Sequence, residues 1–447
     1  MRVSVLVLSP EPAGERMAGP AIRATELARA LAAEHDVTLA APAPSRAPEE
    51  VRLLEAGYEQ LDVLLTAASR HDVVVAQELP PTLLGRLARA PIRIVLDLYN
   101  PVVVEVLEAV AARPARAQRR IQSLIAARSL AQLAAADFVV CASERQRDLW
   151  VGGIALGGLI ELEAYRRDPT LRSLIDVVPF GIPAEPARPA EDSPLRAAFP
   201  AIGQEDRVLL WGGGLWGWLD PETAIRATAR LERTHLVVMG ASRPGPARSG
   251  QEPFAERALE VARREGLEGE CVHFNQGWVP YAERGAWLLD ADLGVTAHHD
   301  HLEARYSFRT RVLDYLWAGL PVVATRGDTM AELVEREGLG RTAAPGDVEG
   351  FAGACRELLD DPAAHAAARA RIAELAPDLR WERTAQPLIE WCSRVHETTP
   401  RKPDRRLLRR ALRDQYLRTL PATVEERGVR AAAAQVGRRV RRALGRG

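Results

Sequence analysis

At 447 residues, 47% hydrophobic and 27% charged, the chain is long enough for two domains with separate cores and has the balance of a globular rather than a membrane-embedded protein. No apolar run approaches bilayer-spanning length, and the opening residues Met1 to Ser9 read as a first strand rather than a signal peptide, so the cytoplasm is the expected compartment. Cys141, Cys271, Cys355 and Cys392 are isolated in sequence, which argues against a disulfide framework or structural zinc.

The formal charge of −1 hides an asymmetry. Residues 401–447 carry 15 Arg or Lys against 4 Asp or Glu, a net of +11, so the other 400 residues sum to −12. Lysine occurs once, at Lys402, so any phosphate clamp must be built from arginine.

Short apolar runs at 2–8, 36–41, 72–76, 92–97, 136–142 and 175–178 read as parallel strands, with helical spacing between them. Prolines 179, 183, 186, 189 and 194 mark a linker. A second alternating set follows, with strands expected at 207–211, 235–240, 271–274, 292–297 and 321–325. The reading is an α/β fold of two doubly wound, Rossmann-like domains facing across a cleft, with a basic helical tail. The expected divisions are 1–183, 184–380, a helix over 381–400 that returns to the first domain, and a tail over 401–447, helical or disordered.

Several stretches are suited to chemistry. Gly19 and Pro20 open a helix after the first strand, where the backbone can approach an anion, and Arg23 lies one turn in. Asp97 ends a strand and is placed to orient or deprotonate a hydroxyl, or simply to cap a loop. The run Trp211-Gly-Gly-Gly-Leu-Trp-Gly-Trp-Leu-Asp-Pro221 turns tightly enough, through Gly213 and Gly214, to pass beneath a phosphate. The cluster His298-His-Asp-His301 invites a metal reading, but adjacent residues do not converge readily on one ion, and a hydrogen-bonding pocket wall involving His298 and Asp300 is the better reading.

The most informative run is Ser307-Phe-Arg-Thr-Arg-Val-Leu-Asp-Tyr-Leu-Trp-Ala-Gly-Leu-Pro-Val-Val-Ala-Thr325. It reads as a helix capped by Ser307 and closed by Gly319, then a buried strand. Arg309 and Arg311 fall in its first turn, the unfavourable end for cations unless Ser307, Phe308 and the free N–H groups face an anion there. Asp314 follows one turn later and is placed to grip ribose hydroxyls. The competing reading is a surface helix whose arginines meet solvent or Glu303.

The segment from Leu313 to Val323 resembles the acid-x-x-x-x-Gly-x-Pro-Val-Val segment of family 4 glycosyltransferases, which have the GT-B fold. Asp314 matches the second of that family's two acids, which contacts ribose. Tyr306 stands at the first, leaving Glu303 or Asp300 as substitutes toward the sugar. The resemblance further implies that Gly19 and Arg23 lie near the donor phosphates. It places Trp278 and the Val279 backbone at the base, and Glu332 near the donor. It implies transfer from a nucleotide-diphosphate sugar to an acceptor hydroxyl of an envelope glycan, lipid or secondary metabolite, with retention and without a bound metal or other cofactor. Arg309 and Arg311 would stabilise the leaving diphosphate, with Asp97 toward the acceptor.

Two basic amphipathic stretches remain. Arg113, Arg116, Arg119, Arg120 and Arg128 surround Ile121, Leu124 and Ile125, and in the tail Val429, Ala433, Val436, Val440 and Leu444 recur amid arginines. Both suit an anionic membrane surface, peripherally on the inner face of the plasma membrane. Nucleic acid is the less expected partner. A sugar-nucleotide epimerase on the same fold and a non-catalytic membrane- or RNA-binding scaffold are the rival readings.

Overall fold

A computed structural model describes residues 2–240, 252–398, 400–401, 408–410 and 412–413. The chain divides into two compact units. One comprises Met1–Gly14, Gly19–Pro179 and the described residues from Ala385 on; the other comprises Glu15–Ala18 and Phe180–Thr384.

The first unit holds a seven-stranded sheet of β1 (Ser4–Leu8), β2 (Asp36–Ala41), β3 (Arg52–Glu55), β4 (Val73–Ala76), β5 (Arg93–Asp97), β6 (Phe138–Cys141) and β7 (Ile175–Val177). Its order is β3-β2-β1-β4-β5-β6-β7, and every pairing is parallel. The second unit holds β8 (Arg207–Trp211), β9 (Thr234–Val238), β10 (Val272–Phe274), β11 (Leu293–Thr296), β12 (Val322–Thr325) and β13 (Gly340–Ala343). Its order is β10-β9-β8-β11-β12-β13, again all parallel. Runs such as Val-Val-Val-Ala in β4 and Val-Val-Ala-Thr in β12 are buried along their whole length, as sheets covered on both faces require.

The expected strands are all present, with ends shifted by up to two residues. Two were missed. β3 is a largely exposed edge strand that begins and ends on charged residues. β13 reads Gly-Arg-Thr-Ala and hides behind a glycine that close packing demands, since a Cβ at Gly340 would fall 1.9 Å from the Val322 carbonyl oxygen.

Arg23 and Asp97 meet inside the first unit. The guanidinium of Arg23 forks onto the carboxylate at 2.5 and 2.8 Å and donates to the Val178 carbonyl at 2.8 Å, with neither side chain more than 2% exposed. Tyr99 covers the group, its ring centroid 5.0 Å from the guanidinium carbon. Burial pushes the Asp97 carboxyl up and Arg23 opposes that. This corrects the reading of Arg23 as a phosphate clamp and Asp97 as a base, because each is committed to the other. Gly19 begins the Gly19–Ala32 helix as expected.

The C-terminal segment rejoins this unit. His35 lies 3.2 Å from the Ile389 carbonyl, and Trp391 stacks on Phe138 at 5.0 Å. Arg401 donates to the carbonyls of Leu133, Ala136 and Leu159, and Leu408 and Leu412 enter the unit's hydrophobic core. The beginning of the basic tail is thus packed rather than separate. Val429, Ala433, Val436, Val440 and Leu444 lie outside the described residues.

In the second unit, β9 and β10 bring two imidazoles together. His235 Nδ1 lies 3.0 Å from His273 Nε2, and His235 Nε2 lies 3.4 Å from Asp206. Burial, then the neighbouring His235, lowers the His273 pKa from 6.5 to about 4.

Two stability outcomes are expected. Asp97→Asn should cost about 3–5 kcal/mol in urea unfolding, since it strands a buried guanidinium, whereas Arg23→Met with Asp97→Leu should recover much of that loss. Wild-type stability in the single variant would contradict the pair's structural role. For His273, an unfolded imidazole binds its proton below 6.5 and the folded one only near 4, so acid favours unfolding. Stability from this site is lost as the pH falls from 6.5 toward 4. Unfolding midpoints at several pH values should therefore drop less steeply in His273→Gln; equal slopes would refute the assignment.

Candidate functional site

Ligands of open parallel sheets bind beyond the carboxyl ends of the strands, where the strand order reverses. In the second unit that reversal lies between β8 and β11. The glycine-rich loop follows β8 and the histidine loop follows β11, so both motifs border the crevice.

The helix Thr310–Trp317 fixes the glycine loop. The Tyr315 hydroxyl accepts from the Gly212 N–H at 2.7 Å and donates to the Val295 carbonyl at 2.8 Å, joining the helix, the β8 loop and β11. Burial pushes the phenol up to about 12, which keeps it protonated and able to donate. Its ring lies against Gly294, where a Cβ would fall 2.3 Å from Tyr315 Cγ. One turn earlier, Arg311 donates to the Gly214 carbonyl at 2.8 Å and lies over the Trp211 ring at 4.7 Å. Burial lowers its pKa to about 10, so it stays cationic at neutral pH. Its Nη1 is buried without a hydrogen-bond partner.

Gly213 has φ +76°, a conformation that favours glycine. A Cβ at Gly240, just after β9, would sit 3.3 Å from the Gly213 carbonyl carbon and 3.4 Å from Trp278. Trp278 therefore shares a wall with the glycine loop, half-buried, while Val279 is buried. Trp216 and Trp218 stack on each other at 5.2 Å.

A second layer of charge lies beneath. Arg309 forks onto Glu303 at 3.0 and 2.7 Å, and its Nε approaches Asp328 at 3.6 Å. His298 Nε2 lies 3.4 Å from the same Asp328 carboxylate. Asp328 also caps the Thr329–Glu337 helix, accepting from the Met330 and Ala331 N–H groups. All four side chains are at least nine-tenths buried. Burial pushes the His298 pKa down, with Asp328 opposing and Arg309 reinforcing, so the imidazole is neutral at pH 7.

This layer corrects several sequence expectations. Arg309 is not available to an anion, because Glu303 occupies its fork. Glu303 and His298 bond inward rather than lining a pocket. Ser307 does not cap the arginine-bearing helix; it ends the preceding short helix Leu302–Tyr306, its hydroxyl donating to the Ala304 carbonyl, and Arg309 takes the N-cap position. Phe308 stacks against Phe180 at 6.3 Å. The N-cap carries no side-chain hydrogen bond, and the first-turn N–H groups of Thr310 and Arg311 have no acceptor within the helix.

Asp300 is exposed, as is Glu332 in the first turn of its helix. Asp314 is 41% exposed and accepts from Arg284 at 3.2 Å. The histidines face different neighbours: His298 turns to Asp328, and His301 caps the Leu302–Tyr306 helix. The structure thus brings Gly213, Gly214, Trp278 and Arg311 together. Gly19, Arg23 and Asp97 belong to the other unit. Arg284, Tyr315 and the Asp328 network were missed. Asp328 followed by Glu332 carries the signal of a helix start; Tyr315 sits four residues after Arg311; nothing in the sequence singles out Arg284.

Residues 206–361 match the family model described as glycosyl transferases group 1. The chain is 27% identical over 245 residues to a D-inositol 3-phosphate glycosyltransferase of Kineococcus radiotolerans, covering 51% of this chain and 53% of that protein. It is 32% identical over 196 residues to a glycogen synthase of Mycobacterium tuberculosis, covering 43% of each. The chain spans about half the length of the curated relatives it matches. Anabaena HepE in complex with UDP-glucose shares the fold with a TM-score of 0.63 at 16% identity, over 88% of this chain and all of that one. Residues 206–361, which lie in its second unit, are thus similar to the glycosyl transferases group 1 family.

Proposed function

We propose that the protein transfers a sugar from a nucleoside-diphosphate sugar to a hydroxyl of an envelope glycan, lipid or secondary metabolite, with retention of anomeric configuration. The observation that carries this is the start of the Thr310–Trp317 helix, where uncapped backbone N–H groups and the unpartnered Nη1 of Arg311 lie beside the Gly213–Gly214 turn. Such a corner suits a diphosphate: the helix end is electropositive, the glycines let the backbone approach, and Arg311 stays cationic. Charge growing on the leaving diphosphate would be met by donors already fixed in place. The name of the HepE complex, which contains UDP-glucose, supports a nucleotide-sugar donor. Asp314 would hold the ribose, Trp278 and the Val279 backbone the base, and the exposed Asp300 or Glu332 would serve the sugar. Neither a metal nor another cofactor is assigned a step.

The acceptor side points to a surface. The helix Ala115–Ala135 presents exposed Arg116 and Arg119 beside half-buried Ile121, Leu124 and Ile125, with Arg113 exposed just before it. That arrangement suits peripheral docking on an anionic membrane. Among the described residues, no helix is long and apolar enough to cross one.

Arg311→Ala is expected to weaken nucleoside-diphosphate binding roughly tenfold to a hundredfold in calorimetry, as loss of a charged hydrogen-bond donor should. Undiminished binding, or donor consumption without a glycosylated product, would overturn the reading. For docking, Arg116→Glu with Arg119→Glu should reduce pelleting with phosphatidylglycerol vesicles while leaving neutral phosphatidylcholine unaffected. Truncation after Arg413 tests the rest of the tail without removing the buried Leu408 and Leu412; equal pelleting in both variants would exclude both surfaces.

A further inference from the structure

Asp314 is held by a side chain that neither motif nor spacing suggested. Arg284 begins the short helix Arg284–Leu289, and its side chain is 9% exposed. Its guanidinium packs against two rings, 3.6 Å from the Tyr281 centroid and 4.4 Å from that of Trp317. Its Nη1 donates to the Tyr281 carbonyl at 2.6 Å and its Nε donates to Asp314 Oδ1 at 3.2 Å. The Trp317 ring is itself fixed. The Trp317 indole donates to the Glu185 carbonyl at 2.7 Å, and a Cβ at Gly285 would stand only 3.0 Å from the Trp317 ring.

A planar cation packed against two aromatic rings and hydrogen-bonded by two of its nitrogens has little freedom to swing. Its Nε therefore presents a donor of set direction to one oxygen of Asp314. The Asp314 side chain is 41% exposed, which leaves the carboxylate within reach of a ligand. A mobile surface aspartate would lose side-chain freedom on gripping a hydroxyl, and a pre-oriented one avoids most of that cost. We propose that Arg284 is the positioning residue that sets the preference of this site for a ribose over a deoxyribose nucleotide, acting through Asp314. This rests on the nucleotide-sugar reading above.

A lysine would keep the charge at position 284 but supply neither the flat stacking surface nor a donor fixed at Nε. The test takes whichever of UDP, ADP and GDP binds the full-length protein most tightly and compares it with its 2′-deoxy and 3′-deoxy forms by calorimetry. Wild type is expected to bind at least one deoxy form roughly tenfold more weakly or worse, the loss of a hydrogen bond to a charged group. Arg284→Lys and Arg284→Met should bring that ratio close to one, as should Asp314→Asn, and combining Arg284→Met with Asp314→Asn should change it no further. If Arg284→Met does not fold, Arg284→Lys carries the comparison. Variants that lose affinity equally for all three nucleotides, with the wild-type ratio intact, would reduce Arg284 to a packing role and overturn the proposal. A wild-type protein that binds without discriminating the sugar hydroxyls overturns it as well. Wild type that binds none of the three nucleotides would instead remove the donor-site reading on which it rests.

Discussion

The second unit depends on one hydroxyl. Tyr315 bridges the N–H of Gly212 and the carbonyl of Val295, and its ring lies over Gly294. The Thr310–Trp317 helix is thereby fixed against the strands that flank the sheet's reversal point. Arg311, one turn earlier, then reaches the Gly214 carbonyl, and Asp314, one residue before the tyrosine, meets Arg284. The Arg311–Gly214 corner and the Arg284–Asp314 contact are both consequences of where this helix is held. A tyrosine suits the position because a buried hydroxyl must find partners, and here it both donates and accepts.

Buried charge serves different ends in the two units. In the first, Arg23 and Asp97 satisfy each other at full burial, and the pair locks the Gly19–Ala32 helix to the end of β5 and to the Val178 carbonyl. In the second, the Glu303–Arg309 fork, Asp328 and His298 form a buried network at the start of the arginine-bearing helix. That network fixes the N-cap of the arginine-bearing helix and the start of the Thr329–Glu337 helix. Both helix-start arginines keep a buried nitrogen without a hydrogen-bond partner, but the fork of Arg309 is taken by Glu303 and its Nε faces Asp328 at 3.6 Å, although Arg309 looks equally suited in sequence.

Much of the framework was legible beforehand because parallel strands covered on both faces carry continuous apolar runs, as in β4, β6 and β12. The strands that escaped notice lack such runs: β3 is largely exposed and β13 is polar with a glycine imposed by packing. The glycine loop and Trp278 were recognisable from local composition, and their proximity through Gly240 is a tertiary fact that no linear spacing encodes. Pairings over long separations were invisible for the same reason. Arg23 with Asp97 spans 74 residues, and Arg284 with Asp314 spans 30. The helix start was misplaced because Ser307 is a good capping residue type, yet its hydroxyl is used by the turn that ends the preceding helix.

The central claim is that a diphosphate sits at the start of the Thr310–Trp317 helix. A crystal structure of the protein with a bound nucleoside diphosphate tests it most directly. Phosphate oxygens within hydrogen-bond distance of the Thr310 or Arg311 N–H groups, the Arg311 guanidinium and the Gly213–Gly214 backbone are the expected result. A diphosphate seated elsewhere, with that helix start untouched, would contradict it.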